Sequence, residues 1–194
     1  ILFWRSFTHW LGGMGVLVFV MAILPSSSDR SIHLMRAEVP GPVVGKLVPK
    51  IKETAKILYL IYMVMTFIEV ILLLCGGMPL FDSLVHSFGT AGTGGFGIKA
   101  DSIGGYSSYC QWVITIFMLL FGINFNLFYL CLIRRFKSVL KSEELWVYLG
   151  IILAAATIIT VNIMPIYNSL SQSIRLSAFQ VASRITTTGY ATAD

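Results

Sequence analysis

Two short segments of this chain can do chemistry through their backbone. Thr93-Gly94-Gly95-Phe96-Gly97 and Thr187-Thr188-Gly189-Tyr190-Ala191 share the order Thr-x-Gly-aromatic-small. Glycine lets a chain adopt dihedrals that turn carbonyls inward. A row of such carbonyls offers hard, uncharged oxygens that can replace the hydration shell of a bare cation. Phe96 and Tyr190 are expected to pack behind such a row and hold its width. Asp101 and Asp194 follow the two segments, where a carboxylate raises the local cation concentration.

The elements that must position these loops are read from hydropathy. The chain has 194 residues, is 56% hydrophobic with a mean hydropathy of +0.81, and carries only 12% charged residues. Soluble domains carry about 25%, so the chain is expected to live in lipid. A spanning helix needs roughly 20 mainly apolar residues. Residues 1–24, 57–75, 109–133 and 145–164 meet that length, the last closed by Pro165. Residues 80–91 and 173–186 are apolar but too short to cross, and each ends at a glycine loop. Residues 25–56 are a polar connection broken by Pro40, Pro42 and Pro49, and 99–108 are polar and rich in Gly and Ser.

Charge gives the orientation. The formal charge of +5 comes mostly from six basic residues between Arg30 and Lys56 and four between Arg134 and Lys141. Basic loops flanking spans are cytoplasmic, so the charge is read as topology and not as nucleic-acid binding. Spans 1 and 3 then run inward and spans 2 and 4 outward, and both glycine loops fall on the outer side. Gly95 and Gly189 stand 94 positions apart, a plausible repeat length. The order is the end of one unit, a whole unit, and the beginning of a third. The chain begins at Ile1 inside an apolar run and is expected to be a piece of a longer polypeptide.

Other chemistries fit less well. Gly92-Thr93-Gly94-Gly95-Phe96-Gly97 also satisfies G-x-G-x-x-G, which binds a dinucleotide only between a strand and a helix. A nucleotide-binding membrane subunit is therefore the reading from another class. Cys75, Cys110 and Cys131 have no metal spacing and read as buried small side chains. His9, His33 and His86 are dispersed. No Ser-His-Asp or Cys-His set and no paired carboxylates appear, so no enzyme is expected. Glu69, alone in an apolar span, is a functional hypothesis by default; a hydrogen bond to a neighbouring helix or exposure near the outer surface is the plainer account. Arg184, close to the second loop, is expected to point away from the ions, pair with an acid and brace the loop from behind. Asn124, Asn126 and Asn162 are expected to join helices, and Gly12, Gly13 and Gly15 to allow close helix packing.

The two loops resemble the Thr-Val-Gly-Tyr-Gly filter of potassium channels. Further stretches resemble the TrkH (Trk/Ktr) family of bacterial potassium transporters. Trp4-Arg5-Ser6 and Trp10-Leu11-Gly12-Gly13-Met14-Gly15 are similar to the start of its first M2 helix. Arg36-Ala37-Glu38-Val39-Pro40-Gly41-Pro42 is similar to its first cytoplasmic loop. Thr93 to Phe96 and Thr186 to Tyr190 are similar to its second and third filters.

The resemblance implies an all-α membrane protein of channel-like M1-P-M2 repeats with re-entrant pore loops. Residues 1–24 would be the first repeat's M2 and 25–56 a cytoplasmic basic loop. Residues 57–141 would be the second repeat (filter 92–98), and 142–194 the M1 and pore loop of the third (filter 186–192). It implies K⁺ uptake across the bacterial inner membrane, with K⁺ held in the filter as substrate and no other cofactor. Thr93, Gly94, Gly95, Thr187, Thr188 and Gly189 match the coordinating stretch, supported by Phe96, Gly97, Tyr190, Ala191, Asp101, Asp194 and Arg184. A homodimer and a cytosolic nucleotide-binding regulator (TrkA-like) are the implied partners. Gly94 and Thr188 stand where channels have Val, and Ala191 where they have Gly, which implies weaker selectivity. A less selective K⁺/Na⁺ pore, or a carrier coupling K⁺ to Na⁺ or H⁺ by symport, is the alternative within the same fold.

Overall fold

The computed structural model describes residues 1–15, 51–99 and 101–192. Helix α1 (Leu2–Gly13) precedes α2 (Ile51–Cys75), α3 (Leu80–Ala91), α4 (Ser108–Phe121), α5 (Phe125–Leu132), α6 (Phe136–Leu140), α7 (Glu143–Tyr167) and α8 (Leu170–Ile185). No strand occurs among the described residues. Most of the connection 25–56, the end of the first apolar run, His33 and Asp194 lie outside them.

Helix boundaries follow local chemistry. Gly77, at φ 81°, ends α2. The Met78 and Gly77 N–H groups donate back to the carbonyls of Leu73 and Leu74, a Schellman closure that satisfies the last turn. Asp82 stands in the first turn of α3, where the positive end of the helix dipole favours it. Ser107 caps α4, its hydroxyl accepting from the Cys110 N–H at 3.3 Å. Asn168, left-handed at φ 48°, closes α7.

Among the described residues two helices are long and apolar enough to cross a membrane, α2 from Ala55 and α7. The third expected span departs from a straight rod: α4 and α5 pass the same test together but meet at 89°. The break falls at Gly122-Ile123-Asn124, where Asn124 starts a new helix by accepting from the Asn126 N–H at 3.0 Å. The fourth span is longer than expected, running through Pro165. A proline so near the end removes one of the last hydrogen bonds without breaking the helix. Ile158, Val161 and Ile166 of α7 are 68%, 67% and 72% exposed, the apolar exterior of a lipid-facing helix.

One arrangement recurs. The short helix α3 packs against α1, α2 and α4, and the short helix α8 packs against α4 and α7. Aromatic rings seal the first group: Phe3, Phe7 and Trp10 of α1 lie within 6 Å of Phe88 on α3. Trp10 stacks on Tyr62 and donates its indole N–H to Thr66 at 3.1 Å. Hydroxyls tie the second group: Thr160 of α7 meets Ser177 of α8 at 2.5 Å, and Arg175 donates to Ser108 of α4. Tyr62, Ile114, Met118, Phe121, Phe125, Phe179 and Tyr190 join in one buried core.

Two glycine loops side by side

Each short helix ends and hands the chain to a loop of the same backbone shape. Thr93 and Gly95 have φ of 51° and 62°; Thr187 and Gly189 have φ of 57° and 89°. The residue between them, Gly94 or Thr188, has no such value. Alternating the sign of φ residue by residue turns successive carbonyls to one side of the chain, unlike a strand. A β-branched threonine in the left-handed region is a genuine outlier. Such strain persists only where the surroundings over-determine it, and it clusters at functional sites.

The surroundings are specific. Gly94 N–H donates to the Gly89 carbonyl at 2.7 Å and Thr93 N–H to Thr90 at 3.2 Å. In the second loop Thr187 N–H donates to Arg184 at 3.2 Å and Gly189 N–H to Ser183 at 3.3 Å. The loops touch: a Cβ on Gly95 would fall on the Thr188 carbonyl. Ile103 N–H donates to the Ala191 carbonyl at 3.0 Å, and Ala191 N–H to the Ser102 hydroxyl at 3.3 Å. The polar segment after the first loop thus wraps the end of the second.

The supporting side chains take different places. Tyr190 is 1% exposed. Its ring lies 5.6 Å from His86 on α3, and its hydroxyl donates to the His86 carbonyl at 3.2 Å. Phe96 is 37% exposed and rests on α1, 5.0 Å from the His9 ring and 4.1 Å from the Arg5 guanidinium. His86 continues outward to Tyr106 at 3.4 Å, whose hydroxyl donates to Asp82 at 2.8 Å. Burial and the Asp82 carboxylate hold the Tyr106 phenol above its ordinary pKa, so it stays a donor throughout the physiological range. Lys99 lies over the Tyr106 ring at 4.1 Å.

Several single residues differ from expectation. Glu69 is fully buried and faces Thr90 of the neighbouring helix α3, so it does not reach the outer surface. Its neighbour Thr90 spends its hydroxyl on the His86 carbonyl at 2.8 Å. Arg184 is exposed and lines a cleft of about 390 Å³ with Gly189, Tyr190 and Ala191. No acid pairs with it among the described residues. Cys75 is exposed, so only Cys110 is a buried thiol and Cys131 is half-buried. Asn124 joins α5 to α7 through Glu144 at 3.3 Å, while Asn162 is exposed. Asp101 is exposed at the turn after the first loop. Gly97, beside it, stands against Ser102, with Cβ space down to 3.2 Å. A helix precedes Gly92 and, among the described residues, no strand precedes it and no helix starts between Gly97 and Ser108, unlike the strand and helix that a dinucleotide fingerprint requires.

Sequence reasoning missed the contacts of Arg5, His9, His86 and Ser183 with the loops. Ser183 donates its hydroxyl to the Tyr190 carbonyl at 2.7 Å. The signal for them was a polar side chain in or beside each short helix, such as His86 and Ser183.

Comparison with known proteins agrees with this architecture. The family model TrkH, described as a cation transport protein, matches residues 1–194. The Trk system potassium uptake protein TrkH of Salmonella typhimurium is 38% identical over 99% of this chain and 41% of its own length. The Trk system potassium uptake protein TrkG of Escherichia coli is 32% identical over 100% of this chain and 41% of its own length. Among solved structures, the potassium transporter TrkH from Vibrio parahaemolyticus superposes with a TM-score of 0.78 at 29% identity, over 100% of this chain and 39% of that one. The chain belongs to the TrkH family of cation transport proteins, a family of membrane transporters and not of enzymes. It spans about two fifths of the length of the curated relatives it matches.

Proposed function

We propose that this chain supplies two of the selectivity filters of a potassium-uptake transporter. The observation that carries the reading is the shared left-handed pattern, Thr93/Gly95 and Thr187/Gly189, in two loops that touch at Gly95 and Thr188. On this reading the carbonyls of Thr93, Gly94, Gly95, Thr187, Thr188 and Gly189 coordinate K⁺ in turn. Residues 1–24 are the M2 helix of one repeat, 57–141 an M1-P-M2 repeat, and 142–194 the M1 and pore loop of the next. The short helices α3 and α8 are pore helices that re-enter from the outer face, their carboxyl ends favouring a cation. Phe96 and Tyr190 hold the filters in place, and Asp101 and Asp194 enrich cations outside. Arg184 stands beside the third filter, braces it from behind and pairs with an acid outside the described residues.

The names of the relatives support potassium as the substrate. The full transporter would sit in the bacterial inner membrane, pair as a homodimer and answer to a cytosolic nucleotide-binding subunit of the TrkA type. Filters in which Gly94 and Thr188 replace the channel Val, and Ala191 replaces the last Gly in the second loop only, would discriminate K⁺ from Na⁺ less sharply.

The test uses the complete gene, with its nucleotide-binding partner, in a bacterium lacking its own K⁺ uptake systems. Rb⁺ uptake is measured with Na⁺ as competitor for the wild type and Gly189→Ser. Wild-type uptake should resist Na⁺, and the variant should lose that resistance. Unchanged discrimination in both Gly189→Ser and Gly95→Ser would sink the filter assignment.

A further inference from the structure

Two tyrosines on successive long helices make the same contact. Tyr62 of α2 donates its hydroxyl to the Trp10 carbonyl at 2.8 Å, in the last turn of α1. Tyr148 of α7 donates to the Leu119 carbonyl at 3.1 Å, in the last turn of α4. Both acceptors are carbonyls that the helix end leaves over. The Met14 N–H goes to Gly12 and not to Trp10. The Gly122 N–H goes to Met118 and the Ile123 N–H to Leu120, skipping Leu119. In an apolar interior such a carbonyl needs another donor, and a tyrosine from the next long helix provides it.

A glycine three residues on completes each contact. A Cβ on Gly13 would stand 2.6 Å from the Tyr62 hydroxyl and 2.8 Å from the Gly92 Cα. A Cβ on Gly122 would stand 2.5 Å from the Tyr148 hydroxyl and 2.9 Å from the Thr186 side chain. Gly92 and Thr186 are the C-caps of the two short helices, each one residue before the left-handed threonine. Three parts therefore meet at each joint: a tyrosine hydroxyl, the end of α1 or α4, and the entry of a glycine loop.

The recurrence is geometric and not a copied residue. Tyr62 precedes Thr93 by 31 positions, whereas Tyr148 precedes Thr187 by 39. The position 94 after Tyr62 is Ala156. Two registers converging on one contact mark the contact itself as what the fold requires.

We infer that Tyr62 and Tyr148 are positioning residues that fix the entry of each filter loop and thereby set ion specificity. The inference rests on the filter reading above. Ion discrimination depends on where carbonyls are held, and first contacts drift when their supporting groups are loose. Without the hydroxyl, the helix end loses its stop and the loop entry gains room to relax toward a geometry that accepts Na⁺. A tyrosine serving only to join helices would alter how much protein reaches the membrane, not the ratio of ions it prefers.

The experiment uses the complete transporter with its nucleotide-binding partner, in cells lacking other K⁺ uptake. Rb⁺ KM, maximal rate and the inhibition constant for Na⁺ are measured for wild type, Tyr62→Phe, Tyr148→Phe and the double variant, with exposed Tyr109→Phe as control. The ratio of Na⁺ inhibition constant to Rb⁺ KM should fall about fivefold in each single variant, the scale of one buried hydrogen bond, and further in the double. The ratio does not depend on the amount of protein, so reduced expression leaves it readable. Gly13→Ala and Gly122→Ala press on the same joints from the helix side and should shift the ratio the same way. Wild-type ratios in Tyr62→Phe and Tyr148→Phe, whatever their maximal rates, overturn the inference. A wild type that takes up Rb⁺ and Na⁺ alike overturns the filter reading and this inference together, whereas a selective wild type with unaltered variants overturns this one alone.

Discussion

The first glycine loop and the second adopt the same alternation of φ but are held by different materials. Around Thr93-Gly94-Gly95 the hold is mainly backbone, from Gly94 and Thr93 back to Gly89 and Thr90. Its aromatic residue, Phe96, lies half out of the protein on α1. Around Thr187-Thr188-Gly189 side chains add to the two backbone bonds from Thr187 and Gly189. Ser183 donates to the Tyr190 carbonyl, Thr186 and Thr188 share a hydrogen bond at 2.8 Å, and Tyr190 is buried against α3. The difference teaches that the backbone shape, not the side chains, is the common element. Three glycines achieve it in one loop by removing obstacles. One glycine and a set of hydroxyls achieve it in the other by adding ties.

The largest effect should come from asking each loop to carry one more methyl group. Gly95→Ala places a Cβ on the Thr188 carbonyl, so the two loops must separate. Gly189 has a similar positive φ but open space around the Cβ position, so Gly189→Ala adds only the left-handed penalty, roughly 1–2 kcal/mol. Gly95→Ala should abolish Na⁺-resistant Rb⁺ uptake with protein still in the membrane. Gly189→Ala should retain uptake with weakened resistance. Equal losses in both would mean that the contact between the loops does not matter.

Next in size is the joint between Tyr190 and α3. A Cβ on Gly89 would fall on the Tyr190 hydroxyl, and both residues are buried. Overpacking a buried site costs about 1–3 kcal/mol. Tyr190→Phe loses the hydroxyl's bond to the His86 carbonyl and its contact with Thr90, about 1 kcal/mol. Thermal unfolding of the purified transporter should therefore rank Gly89→Ala below Tyr190→Phe, and Tyr190→Phe below wild type. A Gly89→Ala protein as stable as wild type would show that Tyr190 is held elsewhere.

Much of this was legible in the sequence, and the missing part has a physical reason. The short helix Leu80–Ala91 stands where length and hydropathy put it, because an apolar segment too short to cross is a property of composition. The Thr-x-Gly pattern flagged both loops, because glycine at that spacing is a local demand on backbone dihedrals. The 89° break at Gly122 was not legible. Residues 109–133 are apolar enough on average to read as one span, and hydropathy reports what a segment contains, not where its backbone turns. Gly122 and Asn124 were the available signal. The placement of Tyr190 on His86 was out of reach for another reason: the partners are 104 residues apart, and nothing local in either names the other. Glu69 was flagged as an ionisable residue at depth, yet its complete burial depends on how α2 and α3 pack.

The smallest expected effect concerns the aromatic residue of the first loop. Phe96 contributes a half-exposed ring, a contact with His9 and a guanidinium over its face. A cation–π pair at a partly exposed site is worth about 0.5–1 kcal/mol, and Phe96→Leu keeps most of the apolar volume. Phe96→Leu should lower the unfolding midpoint only slightly and leave the ratio of Rb⁺ to Na⁺ uptake near wild type. Tyr190→Leu, which empties a fully buried ring site and cuts the tie to α3, should move both. The two variants alter the same pattern position, so their difference measures the asymmetry between the loops directly. If Phe96→Leu proved as damaging as Tyr190→Leu, the Arg5 and His9 contacts on α1 would be as binding on the first loop as α3 is on the second, and the backbone would not be holding that loop by itself.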